Sequence, residues 1–281
     1  MVKSLLAALD GSPAATAGLR AAVYWAKTLD AELHAVFIED EARLMYYPAV
    51  STLEGGIAVP VPLPEEDQGK VVAKMNQEAE AIRGAVEAAA KAARIRYTWS
   101  AQRGKLNEVL THEASLVDMV VMGRRGINEL GDSTRPGPTT EALIHGSLRP
   151  VLVVPKGEQP SGPILLAYDG GKGVGRMLPT AAYLAAKARS GVSVITVEND
   201  RARGEAMQQD IVHYLAPHGI KPTCSVTSGN STERIVEAAV QQRASMIVMG
   251  AYGHSLIREF LFGSTTVNVL AKAPCPVLLM A

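Results

Sequence analysis

Met246-Ile247-Val248-Met249-Gly250-Ala251-Tyr252-Gly253 is an apolar run that empties into glycines, and nine residues further on the chain reads Gly263-Ser264-Thr265. A helix-prone stretch, Thr266 to Lys272, follows. An unbroken apolar run suits a parallel strand covered on both faces. Glycine lets backbone approach a ligand closely, and the free N–H groups that open a helix favour an anion. The spacing therefore predicts a phosphate cradle between a buried strand and a helix start. Its candidate residues are Gly250, Gly253, Gly263, Ser264 and Thr265.

The chain writes this sentence twice. Leu5-Leu6-Ala7-Ala8-Leu9-Asp10-Gly11 is matched by Ile164-Leu165-Leu166-Ala167-Tyr168-Asp169-Gly170, and His34-Ala35-Val36-Phe37-Ile38 by Ser193-Val194-Ile195-Thr196-Val197. Asp118-Met119-Val120-Val121-Met122-Gly123 parallels Ser245-Met246-Ile247-Val248-Met249-Gly250, and each half closes on proline plus an apolar run, Pro150–Val154 and Pro276–Met280. Self-similarity over so long a period indicates two related domains, not a solenoid. The seam, Pro155 to Pro163, is rich in proline and glycine, which places the domains at 1–157 and 158–281.

Composition agrees with two domains in 281 residues. The 28 Lys and Arg balance 28 Asp and Glu, so no bulk charge favours nucleic acid or an anionic membrane. No apolar run approaches the roughly 18 residues of a membrane span. The first apolar run leads straight into Asp10-Gly11 and does not resemble a signal segment. Two cysteines, Cys224 and Cys275, form no disulfide framework, and a reduced cytoplasmic compartment is the simple expectation. His34, His112, His145, His213 and His218 lack metal-ligand spacing, so no metal site is expected. There is no Walker motif, no Gly-x-Ser-x-Gly and no His-Glu-x2-His, so no catalytic residue is nominated.

Apolar β-prone runs alternate with alanine-rich stretches. The second half reads as strands near 164–168, 192–197, 222–227, 246–249 and 277–280, with helices near 174–189, 201–217, 231–243 and 265–272. Such alternation predicts a doubly wound α/β fold, flavodoxin-like or Rossmann-like, with a five-stranded parallel sheet per half. Gly191 and Gly219 read as C′ glycines, and Asn230 with Glu233 as a capping box. Ligands bind outside the carboxyl ends of the strands in such folds. With strand 1 beside strand 4, Asp169 and Gly250 would face one crevice. Asp10 and Asp169 also suit helix N-caps.

On these motifs the whole chain resembles a tandem universal stress protein of the ATP-binding branch. The resemblance rests on Asp-Gly after strand 1, the closing Pro-Val-Leu strand and Gly-x2-Gly-x9-Gly-(Ser/Thr). It implies an adenine nucleotide, ATP or else ADP or AMP, in a regulatory stress-response role; Mg2+ is the expected companion cation because a triphosphate in a neutral protein benefits from a counter-cation. Asp169 and the backbone near Val197 would contact adenine and ribose. Gly250 and Gly253 would line ribose and phosphates, and Gly263, Ser264 and Thr265 would hold the phosphates. The counterparts in the first half are Asp10, Val36, Gly123, Gly126 and Thr139. The resemblance also implies pairing of the two last strands into an internal pseudo-dimer, and a homodimer of tandem chains. A slow ATPase or phosphotransferase and a nucleotide-free signalling scaffold remain as alternatives.

The first half departs from the pattern. Ten residues separate Gly126 from Gly137, and Pro138 stands in the serine position. Proline has no N–H and no hydroxyl to offer. The expectation is an altered first site, with Arg124, Arg125 and Arg135 as compensating cations. The first half is also longer, mostly between Glu41 and Gly69. A solvated loop is the simple reading of that insertion; a cover for the first site carried by Met45, Tyr46 and Tyr47, or a partner surface, is the other. His254, inside the second cradle, would approach a phosphate or face solvent.

Overall fold

The computed structural model describes residues 1–52, 58–126, 135–157, 160–251 and 263–280, with the side chains of 47–60 and 172–176 outside that description. The first half runs β1 (Ser4–Leu9), α1 (Pro13–Leu29), β2 (Glu32–Asp40), α2 (Ala42–Met45), β3 (Tyr46–Thr52), β4 (Ala58–Pro62), α3 (Glu65–Ala93), β5 (Tyr97–Gly104), α4 (Leu106–Ser115), β6 (Met119–Gly123), α5 (Pro138–Gly146) and β7 (Val151–Val154). The second runs β8 (Ile164–Ala167), α6 (Lys172–Ala188), β9 (Val192–Val197), α7 (Arg201–Leu215), β10 (Thr223–Thr227), α8 (Ser231–Gln241), β11 (Met246–Gly250), α9 (Ser264–Lys272) and β12 (Val277–Met280).

Ten strands form one sheet in the order β10-β9-β8-β11-β12-β7-β6-β1-β2-β5. Each half contributes five parallel strands in the doubly wound order 3-2-1-4-5. The halves meet where β12 pairs antiparallel with β7, Leu278 opposite Leu152. The predicted internal pairing of the closing strands is thus present. Pairing removes two short apolar edges that would otherwise be exposed.

The apolar strands bury both faces. Leu5, Leu152, Leu166 and Leu278 join α1 and α6 on one face; Leu6, Val153, Leu165 and Leu279 join α8 and α9 residues on the other. Both clusters cross the boundary between halves, and each fully buried leucine contributes about 1.5–3 kcal/mol to folding.

Local details differ from expectation in three places. Arg189, with φ of 51°, ends α6 in the left-handed region, so Gly191 is not the C′ residue. The Arg189 N–H reaches the Ala185 and Ala186 carbonyls, a closure that tolerates the side chain. Gly219, with φ of 71°, does hold the left-handed position, and Asn230 does cap α8, accepting from the Glu233 N–H. The insertion is not a plain loop: it folds as α2, the antiparallel β3–β4 hairpin and the start of α3. The seam is also anchored at its far end, where the Gly162 N–H bonds the Arg243 carbonyl and a Cβ would strike that carbonyl.

Candidate functional site

Strand 1 lies beside strand 4 in both halves: β1 pairs with β6, and β8 with β11. Asp10 and Gly123, and likewise Asp169 and Gly250, therefore leave the same edge of the sheet on neighbouring strands. The aspartates are not helix N-caps. Ser12 caps α1, its Oγ accepting from the Ala15 N–H at 3.0 Å, and Gly171 occupies the cap position of α6. The Asp10 carboxylate accepts from the Ser12 N–H at 2.9 Å and that of Asp169 from the Gly171 N–H at 2.8 Å, closing an Asx turn. Gly11 and Gly170, with φ of 81° and 78°, supply the left-handed residue inside that turn. That is the backbone reason for Asp-Gly.

The cradle helices correspond residue for residue. α5 and α9 each span 9 residues behind a glycine cap, Gly137 and Gly263. Thr140 Oγ1 donates to the Arg124 carbonyl at 3.1 Å, and Thr266 Oγ1 to the Ala251 carbonyl at 3.0 Å. These bonds make Pro138 the counterpart of Ser264 and Thr139 that of Thr265. The additional residue of the first half falls within 127–136. Ser264 and Thr265 open α9, and Thr266 ties that opening to the end of β11 at Gly250 and Ala251. Val197 ends β9, next to β8. Asp169, Val197, Gly250, Gly263, Ser264 and Thr265 are thus gathered at one sheet edge. Gly253 and His254 lie outside the described residues.

In the first half an open crevice of about 790 Å³, mouth included, is lined by Asp10, Val36, Gly123, Gly126 and Thr139 together. Its apolar wall also contains Ile38, Leu106, Leu110 and Met122, and its polar wall Asp40, Arg43 and Arg125. Ile38 was legible in the repeat: the register Ala8–Val36 and Ala167–Ile195 makes Ile38, not Val36, the equivalent of Val197. Met122 likewise matches Met249. Arg43 carried no sequence signal, because the insertion has no second copy. Met45 and Tyr46, the covers in the alternative reading of the insertion, are 58% and 42% exposed, the Tyr47 side chain lies outside the described residues, and Arg43 reaches the crevice.

Arg124 does not turn toward the cradle as a phosphate cation. Its guanidinium donates to the Ala271 and Ala273 carbonyls at the end of α9, and burial holds it below the ordinary arginine range. Gly123 shows why glycine ends β6. A Cβ there would stand 2.7 Å from the Ala14 carbonyl carbon and 2.8 Å from the Ala15 nitrogen, so α1 starts against bare backbone. Cys275 is buried, and burial pushes its thiol up to about 12, in keeping with a packed rather than reactive residue. Among the described residues no helix is long and apolar enough to cross a membrane.

The universal stress protein family model matches residues 1–155 and 198–280. A universal stress protein of Synechocystis sp. is 30% identical over 163 residues, which span 57% of this chain and 57% of that relative. One from Thermus aquaticus is 30% identical over 135 residues, 42% of this chain and 96% of the relative. In fold, the crystal structure of a universal stress protein from Archaeoglobus fulgidus matches with a TM-score of 0.74 at 20% identity, covering 99% of this chain and 97% of that one. With the family model matched across both ends of the repeat, the chain belongs to the universal stress protein family.

Proposed function

We propose that the protein is an adenine-nucleotide-binding regulator whose working nucleotide site is in its second half, within domains bounded at 1–157 and 158–281. The observation that carries this reading is the convergence of Asp169, Gly250 and the opening residues of α9 at one sheet edge. Asp169 would accept from ribose hydroxyls, and the edge of Val197 would meet the base. Gly250 and Gly253 would allow close approach to ribose and phosphate. Gly263, Ser264 and Thr265 would donate N–H and hydroxyl groups to the phosphates, at the positive end of the α9 dipole. ATP is the proposed ligand, with ADP and AMP as shorter forms. Mg2+ fits the chemistry as a hard cation carried mainly by phosphate oxygens, with Asp169 as the near carboxylate. Association of tandem chains into a homodimer in the cytoplasm belongs to the same proposal.

The test is mass spectrometry of nucleotide released from the purified protein, joined to calorimetry with ATP. One nucleotide per chain supports this reading. Two equivalent ATP sites contradict the role given to Pro138. No binding at millimolar ATP removes the nucleotide reading and leaves a nucleotide-free scaffold. Multiple-turnover phosphate release lost on Ser264→Ala would identify an ATPase.

A further inference from the structure

The first-half crevice is not a weaker copy of the second site, because its wall contains a part that the second half lacks. After β9 the second half enters α7 within three residues, Glu198 to Asp200. After β2 the first half inserts α2 and the β3–β4 hairpin, and α2 delivers Arg43 to the crevice. The guanidinium is fixed there by Glu78 of α3: Nη1 donates at 2.8 Å and Nη2 at 3.3 Å. Both side chains are largely covered, 19% and 28% exposed. Two of the five N–H donors of Arg43 are spent on Glu78, and the planar fork holds the others in fixed directions.

Changes at the phosphate end run the other way. Pro138 begins α5 without an N–H, and Arg124 is committed to the end of α9. The charged lining residues are Asp10, Asp40, Arg43 and Arg125, which cancel, and Glu78 behind Arg43 adds a negative charge. A triphosphate entering this crevice would bring several negative charges to a lining whose own charges already balance, beside a helix start that lacks one N–H. Burying charge without a counter-charge is strongly unfavourable. The apolar wall of Val36, Ile38, Leu110 and Met122 beside the Asp10 carboxylate is retained, and it suits a flat base joined to a hydroxyl-bearing sugar.

We propose that the first-half crevice is a separate site for a neutral nucleoside, with Arg43 as the residue that sets its specificity. Arg43 donates to acceptor atoms on the base edge, Asp10 accepts from the sugar hydroxyls, and the site disfavours a phosphate tail. The proposal rests on the nucleotide reading of the second half only for the identity of the competing ligand. Adenosine is the probe, titrated by calorimetry into the full chain with and without saturating ATP·Mg2+. One adenosine per chain is expected to bind in the presence of ATP. Arg43→Ala and Arg43→Gln should each weaken adenosine by about tenfold or more, the scale of one lost charge-assisted hydrogen bond, while ATP binding is retained. Thermal melts of both variants separate this loss from unfolding. Failure of adenosine to bind at millimolar concentration, its displacement by ATP, or unchanged affinity in folded Arg43 variants overturns the proposal. Adenosine binding that depends on Arg43 in a chain that takes no ATP would instead sink the second-half reading alone.

Discussion

Arg124 Nη1 donates to the Ala271 carbonyl at 2.6 Å, across 147 positions of sequence and from one half of the molecule to the other. Nη2 donates to the Ala273 carbonyl at 2.7 Å. A cation at the C-terminal end of α9 meets both its orphan carbonyls and its dipole. The backbone carbonyl of the same Arg124 accepts from the Gly137 N–H at 3.1 Å and from Thr140, which hold the start of α5. One residue thus ties the opening of the first cradle helix to the close of the second. The pseudo-equivalent residue is Ala251, whose side chain is too short to return the contact.

Arg124→Ala is therefore expected to destabilise the protein by about 2–4 kcal/mol, the worth of two charge-assisted hydrogen bonds to otherwise orphaned carbonyls. Denaturant unfolding measures the loss, and amide exchange should quicken at Ala271 to Ala273. A change below about 0.5 kcal/mol, the size of a neutral surface substitution, would show that the clamp is solvated and weak.

Pro138 and Ser264 occupy equivalent first positions of α5 and α9, so exchanging their chemistry tests the asymmetry of the halves. Ser264→Pro should weaken ATP binding by roughly one to two decades, since it removes an N–H and a hydroxyl from phosphate. Pro138→Ser should leave the first crevice still poor in ATP affinity, because Arg124 stays committed to α9 and the lining charges still cancel. Calorimetric stoichiometry reads both variants, and a full second ATP site in Pro138→Ser would place the asymmetry in the proline alone.

Gly123 and Gly84 give opposite expectations for the same change. Gly123→Ala drives a methyl group into the Ala14–Ala15 backbone at 2.7–2.8 Å and should destabilise by about 1–3 kcal/mol. Gly84 lies inside α3, and a methyl group added there would meet nothing within 4 Å, so Gly84→Ala should stabilise by about 0.5–1 kcal/mol. Melting temperatures of the two variants are the check, and equal shifts would contradict the close approach of α1 to β6.

Much of this arrangement was legible because the chain carries its own comparison. The two copies of Asp-Gly, of the glycine-ended fourth strand and of the Pro-led closing strand located every strand of the second half to within a residue or so. The pairing of β7 with β12 followed from the family resemblance. What escaped had no copy or no local signal. Arg43 sits in an insertion present once, and only the packing of α2 on α3 brings it to the crevice. Arg124 looked like a phosphate ligand because local sequence cannot register an acceptor 147 residues away. Arg189 closes α6 in a left-handed conformation that sequence assigns by default to glycine.

The two cysteines should separate by reactivity and by pH. Cys224 is exposed on the edge strand β10, whereas Cys275 is fully buried between Pro274 and Pro276. A thiol reagent at mildly alkaline pH should modify Cys224 in the folded chain and reach Cys275 only on unfolding. Burial raises the Cys275 thiol from an ordinary 9.0 to about 12, so the folded state favours the protonated, neutral form. Its contribution is constant below the unfolded value. Between about pH 9 and 12 the unfolded chain releases a proton that the folded chain keeps, so stability falls, by up to about 1.4 kcal/mol per pH unit. Cys275→Ala removes that titration along with some packing, and should flatten the alkaline limb of a stability–pH curve measured by denaturant unfolding. An unchanged limb would assign the alkaline loss to other groups, and rapid labelling of Cys275 in the folded chain would contradict its burial.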